Sequence, residues 1–101
     1  MTQIDPRLVT ANLIKLVARN FSKDLQRGEP LDVIRNTQTQ LIAWAKAEPT
    51  AYVDVPIRGA LSVLNETGPD PITLRRTVQQ LHLIAKIALD AYAAARALRS
   101  S

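Results

Sequence analysis

The chain has 101 residues, of which 47% are apolar and 22% are charged. This size suits one domain over residues 1–101 with a hydrophobic core of its own, and the composition excludes a disordered chain. Because there is no cysteine, disulfides, thiolate metal sites and a cysteine nucleophile are excluded. The net charge of +4 permits an anionic partner but does not require one.

The first predicted helix begins at the pair Asp5 and Pro6, a favoured N-cap followed by a residue favoured at the first helical position. Gly28 comes directly after Arg27 and predicts the stop, so helix 1 is expected from Pro6 to Arg27. Three- and four-residue spacing predicts a core stripe of Ala11, Ile14, Val17 or Ala18, Phe21 and Leu25. A second apolar flank of the same helix consists of Val9, Leu13 and Leu16.

The second predicted helix begins at Pro30 and ends before Pro49. Its expected inner face consists of Leu31, Ile34, Leu41, Ile42 and Ala45. Val33 and Trp44 lie on another flank of this helix.

A connector containing Tyr52 leads to the third predicted helix, over residues 56–67. Asp54 is its expected N-cap, and Gly68 is its expected stop. Gly59 lies inside this helix at a cost of about 1 kcal/mol relative to alanine, which indicates close packing there.

The fourth predicted helix is capped by Asp70, opens at Pro71 and continues without a breaker to Leu98. One apolar row consists of Leu74, Val78, Leu81, Ala85, Ala88, Tyr92 and Ala95. A second row consists of Leu83, Ile84, Ile87, Ala91, Ala94 and Leu98. Together the rows cover about 240° of the helix, where a surface helix needs little over 100°. The helix is therefore either the centre of a monomeric bundle or shared between its own core and a second chain, and its length and alanine content favour a homodimer.

These elements predict an all-α fold, a small bundle of about four helices with a long Ala-rich C-terminal helix. No stretch approaches the roughly 18 uninterrupted apolar residues that a membrane span requires. The first ten residues lack the basic and apolar segments of a signal peptide. We therefore expect a cytoplasmic protein with no membrane association.

The sequence favours a protein that is not an enzyme and that has no catalytic residues, cofactor or metal. The single histidine, His82, lies on the polar strip of helix 4 between Arg75 and Lys86, where a solvated side chain is expected. Three of the acids are explained as helix caps. The three glycines are isolated, so none forms a loop that could cradle a phosphate.

A nucleic-acid partner is suggested by four cations spaced four residues apart on helix 1: Lys15, Arg19, Lys23 and Arg27. Like charges at this spacing repel, and phosphates would relieve the repulsion, although a solvated basic face is the common alternative. The segment from helix 3 into Arg75 and Arg76 loosely resembles a helix-turn-helix. Its turn, with two prolines, is stiff, and the second helix is too long for that motif.

A protein partner explains more of the sequence, because tryptophan and tyrosine are favoured interface anchors. The candidate contact residues are Val9, Leu13, Leu16, Val33, Trp44, Tyr52, Ala88, Tyr92 and Ala95. The alternative for Trp44 is that it closes the end of the core. An apolar groove is expected between helices 1 and 4. The leading hypothesis is a regulator or adaptor that acts by protein–protein interaction, as a homodimer, and the alternative is a small DNA-binding regulatory protein.

Overall fold

A computed structural model describes residues 5–47 and 51–100 of the chain. The helices follow one another as α1 (Pro6–Asp24), α2 (Pro30–Ala47), α3 (Ala51–Asn65) and α4 (Pro71–Ser100). No strand occurs among the described residues, and the predicted small all-α bundle is confirmed. The molecule measures 47 × 24 × 21 Å. Since 30 helical residues extend about 45 Å, α4 spans its full length.

The predicted caps of α1 and α4 are confirmed. Asp5 Oδ1 accepts a hydrogen bond from the Arg7 backbone N–H at 2.9 Å. In α4, the Thr73 hydroxyl and backbone N–H donate to the two carboxylate oxygens of Asp70, at 2.7 and 3.0 Å. Two hydrogen bonds from Thr73 hold the pKa of Asp70 below the ordinary value of 3.8, because both favour the ionised carboxylate. The hydrogen bond from the side chain has the larger effect, and the one from the backbone has the smaller effect.

The end of α1 differs from the prediction, since the helix stops at Asp24 and not at Arg27. The next three residues form tight turns, in which the Arg27 N–H donates to the Asp24 carbonyl at 3.0 Å. The Gly28 N–H donates to the same carbonyl at 2.9 Å. Gly28 has a negative φ, so it does not act as a left-handed stop.

The beginning of α3 also differs, since the helix starts at Ala51 and continues through Pro56. Asp54 therefore lies inside the helix and is not its N-cap. The spacing of Asp54 and Pro56 resembles a helix start. However, a proline removes one N–H donor and crowds the preceding turn, and neither effect prevents residues 51–55 from being helical.

The core lies around α1, which contacts the other three helices and packs most extensively on α4. Among the described residues, α2 and α4 do not touch, so α1 and α3 lie between them. The predicted stripe of α1 is confirmed by the burial of Ala11, Ile14, Val17, Ala18 and Phe21. Of the two apolar rows of α4, the first faces the core over its N-terminal part, where Leu74, Leu81 and Ala85 are buried.

The inner face of α2 is rotated relative to the prediction. Leu31 and Ile42 are exposed, whereas Val33 and Thr37 are buried beside Ile34 and Leu41. Thr37 fits this side of the helix because its hydroxyl donates to the carbonyl of Val33 at 2.8 Å. Because Thr37 is polar, the apolar periodicity of α2 gives no signal that this residue is on the inner face.

Polar groups inside the bundle connect its helices. The Trp44 indole N–H donates to the hydroxyl of Thr10, which is fully buried, at 2.8 Å, and this hydrogen bond joins α2 to α1. Thr67 and the buried Thr77 are hydrogen-bonded to each other between the end of α3 and α4. No buried side-chain N or O in the described residues is without a partner.

Candidate binding groove

An open apolar groove of about 530 Å³ lies between the beginning of α3 and the C-terminal half of α4. Its α3 side is formed by Val55, Pro56 and Gly59. Its α4 side is formed by Ile84, Ile87, Ala88, Ala91, Tyr92 and Ala95. The volume is in the range of ligand and peptide sites, and hydrophobic side chains form nearly the whole lining. We call this surface the apolar groove.

Among the described residues that line the apolar groove, Arg7 alone is charged. The guanidinium is paired with Asp5, with Nη2 at 2.7 Å and Nε at 3.1 Å from carboxylate oxygens. Its central carbon lies 5.7 Å from the centroid of the Tyr92 ring, within cation–π distance. The N-cap of α1 therefore also positions the polar end of the groove, and the Arg7 charge is largely compensated.

Gly59 lies on the α3 side of the apolar groove. A methyl group in place of its α-hydrogen would meet Ile84 Cδ1 at 3.8 Å, which is an ordinary van der Waals distance. This contact agrees with the predicted close packing at Gly59, since α4 comes near enough to touch such a methyl group.

The predicted interface residues divide between the groove and the bundle. Ala88, Tyr92 and Ala95 line the apolar groove. The groove was expected between the first and fourth helices, but α3 forms its second wall and α1 contributes Arg7 alone. The predicted position is wrong because α1 packs on α4 more extensively than any other two helices pack on each other, so this side of α4 is already covered.

The other candidate contact residues occupy different environments. Val33 is buried in the core, and Leu13 and Trp44 are half-buried against it. Val33 is therefore not available to a partner, because its side chain fills the interior of its own chain. Val9 is half-buried and Leu16 is exposed. The side chain of Tyr52 lies outside the described residues.

Sequence reasoning did not include most of the groove lining among the candidate sites. The missed residues are Arg7, Val55, Pro56, Gly59, Ile84, Ile87 and Ala91. The last three belong to the second apolar row of α4, whose excess apolar width was the available signal. Of the three residues of α3, Val55 was missed because the helix was predicted to begin only at residue 56, whereas Pro56 and Gly59 lay inside the predicted helix but carried no sign of a binding surface.

The basic side chains are all on the surface: Lys15, Arg19, Lys23, Arg27, Arg75 and Arg76 are exposed. Lys15, Arg19 and Lys23 lie on α1, whereas Arg27 lies in the turn after it. In the part of the chain that the structure describes, none of these four cations forms an ion pair. Because Arg7, at the start of α1, lies against Tyr92, the two helices are antiparallel. The last cations of the row therefore lie toward the same end of the bundle as Arg75 and Arg76, whereas Lys15 lies at the middle of α1.

The remaining observations concern metals, membranes and relatives. His82 is exposed, and within residues 5–47 and 51–100 no three His, Cys, Asp or Glu side chains come together as a metal site would require. None of the described helices has the length and hydropathy to cross a membrane. Comparison with protein-family models, curated proteins and solved structures finds no match for the chain.

Proposed function

We propose that this protein is a non-catalytic helical module that acts by protein–protein interaction, as a regulator or adaptor, and that it self-associates. The observation that supports this proposal is the apolar groove. Its entrance is bordered by large exposed side chains, with Ile87 59% and Val55 72% exposed. Burying such side chains against a partner contributes about 25 cal/mol for each Å² removed from water.

The shape of the apolar groove favours a helical occupant. Its walls are two helices, and the small side chains of Ala88, Ala91 and Ala95 keep its α4 side shallow. Alanines allow a third helix to approach α4 at the short end of the usual 8–10 Å interaxial distance. This is helix-in-groove recognition, in which an amphipathic helix contributes its apolar face.

Site-specific photo-cross-linking tests the proposal. A benzophenone amino acid placed at Ile87, in the groove, should form an adduct with a protein identified by mass spectrometry. The same group at the neighbouring Lys86 is the matched control, since Lys86 is exposed but does not line the groove. The adduct should disappear when Ala91→Glu is added. The proposal is wrong if position 87 gives no adduct, or if positions 86 and 87 give the same adducts.

A second candidate function is DNA binding through the exposed cation row of α1, which has no ion pair among the described residues. Four phosphate contacts would give a slope of about −3.6 for log K against log salt concentration. The assay is fluorescence anisotropy of labelled duplex DNA, with Lys15→Glu, Arg19→Glu and Lys23→Glu combined as the control. If the protein does not bind the labelled DNA at low salt, the cation row is a solvated face and this second function is wrong.

A further inference from the structure

The apolar groove continues into an exposed apolar row on the outer side of α4. Leu83 is 54% exposed, Ile87 is 59% exposed and Leu98 is 78% exposed. Ile87 belongs to both the row and the groove. The C-terminal half of α4 therefore presents one continuous apolar surface that its own chain leaves uncovered.

We propose that the occupant of the apolar groove is a second copy of this chain, bound through the segment Ala91–Leu98 of an antiparallel α4. In this two-fold dimer each groove receives the last turns of α4 from the other copy. The inference rests on the proposed function, because it identifies the partner of the same site.

The distribution of side-chain size along α4 supports this occupant. The groove residues before Ala91 include the large Ile84 and Ile87, whereas the positions after it include the small Ala94 and Ala95. If two antiparallel helices cross at Ala91, Ile87 of one copy lies opposite Ala95 of the other. Large side chains then enter spaces left by small ones, as in knobs-into-holes packing. By the two-fold symmetry, this pair of a large and a small side chain occurs twice in the contact.

The position of α3 leaves space for this arrangement. Gly59 lies beside Ile84, so α3 covers the part of α4 before Ala91. The antiparallel copy brings its residues after Ala91 to that part, and Leu98 of the second copy falls opposite Ile84. Because each α3 covers the opposite half of the helix pair, the two α3 helices do not collide.

Charge does not oppose the contact, although each chain carries +4. The groove residues of α4 include no acid or base other than the phenol of Tyr92. Lys86 and Asp90 are exposed and do not line the groove. Arg7, at the groove's end, is compensated by Asp5. In this register Lys86 of one copy is level with Arg96 of the other, but both are exposed and lie outside the groove lining, so the apolar contact itself places no like charges together.

The area of the contact predicts a concentration-dependent dimer. The apolar part of α4, residues 83–98, is about 24 Å long. A helix pair of that length, with the ends of the two α3 helices, buries on the order of 1,000 Å² in total, which is the lower end for a specific interface. The monomer and the dimer should therefore both be observable at micromolar concentrations.

The test compares two glutamate substitutions by sedimentation equilibrium, from about 1 to about 500 µM protein. Ala91→Glu places two carboxylates at the centre of the two-fold contact. Ala93→Glu is the matched control, since Ala93 is exposed and does not line the groove. We expect wild type and Ala93→Glu to dimerise and Ala91→Glu to stay monomeric, with a dissociation constant at least tenfold weaker. Circular dichroism must show equal helicity in all three.

The absence of cysteine allows the orientation to be tested with single cysteines and a short bismaleimide. Ala91→Cys should cross-link to itself in either orientation. Leu98→Cys should cross-link only in a parallel pair, because antiparallel copies separate these residues by about 21 Å along the axis.

The possible outcomes decide between the two proposals. Efficient cross-linking of Leu98→Cys, or dimerisation of Ala91→Glu as tight as that of Ala93→Glu, overturns the proposed dimer. A wild-type monomer at the highest concentration also overturns it. In that case an adduct from position 87 to a different protein would preserve the proposed function, and the absence of any adduct would remove both proposals.

Discussion

The hydrogen bond between Trp44 and Thr10 gives the most direct test of how α2 is attached to the bundle. The Thr10 side chain is fully buried, and the indole N–H donates to its hydroxyl at 2.8 Å. Thr10→Val keeps the shape of the side chain and removes the acceptor. We expect this change to lower the free energy of unfolding and to alter the environment of Trp44.

The magnitude follows from the burial of the two partners. A hydrogen bond of this kind contributes about 1 kcal/mol net, and a buried donor left without an acceptor costs about 1–3 kcal/mol. Trp44 is only half-buried, so water can reach part of its indole, and the cost of Thr10→Val should be near the lower limit. A loss of about 1 kcal/mol lowers the Tm of a domain of this size by about 4–8 °C.

The assay is a double-mutant cycle with Thr10→Val, Trp44→Phe and the combined variant, measured by urea unfolding followed by circular dichroism. The coupling energy should be about 1 kcal/mol. Since Trp44 is the only tryptophan, its emission in Thr10→Val reports the lost hydrogen bond directly. Thr39→Val is the control, because Thr39 is exposed and its hydroxyl bonds only within α2. A coupling energy below about 0.3 kcal/mol, within the error of additivity, would refute the reasoning.

Three further changes test the core, the groove and a cap by denaturant unfolding. Leu41→Ala should lower the free energy of unfolding by about 2–5 kcal/mol because Leu41 is fully buried. Ile42→Ala is the control and should change it by no more than about 0.5 kcal/mol, because Ile42 is exposed. Equal losses for the two variants would contradict the observed inner face of α2. Gly59→Ala, measured at concentrations where the protein is monomeric, should stabilise the folded chain by about 1 kcal/mol because the added methyl group fits beside Ile84. Destabilisation would show that there is no space for the methyl group. Folding lowers the pKa of Asp70, so the ionised Asp70 carboxylate stabilises the folded state. This stabilisation is complete above the ordinary pKa of 3.8 and is lost as the pH falls through the lowered pKa. Asp70→Asn keeps a cap acceptor and should remove that part of the acid dependence, so an unchanged pH profile would exclude this role for Asp70.

The helical class and most of the core could be predicted from the sequence because they depend on local chemistry. The caps at Asp5 and Asp70 use hydrogen bonds that span two or three residues, and the burial of Phe21 follows from helical periodicity. The width of the apolar surface on α4 likewise predicted that this helix has more than one neighbour. Each of these features depends on residues that are close in the chain.

The tertiary structure decided which neighbour each face meets. The burial of Thr37 and Val33 in place of Leu31 depends on how α2 is rotated against α1 and α3, and the periodicity of α2 alone is compatible with either face. The groove needs Gly59 and Ile84 to come together from two helices, which only packing determines. Apolar burial is non-directional, so a wide apolar surface specifies that contacts form, and the positions of the other helices decide where the uncovered part remains.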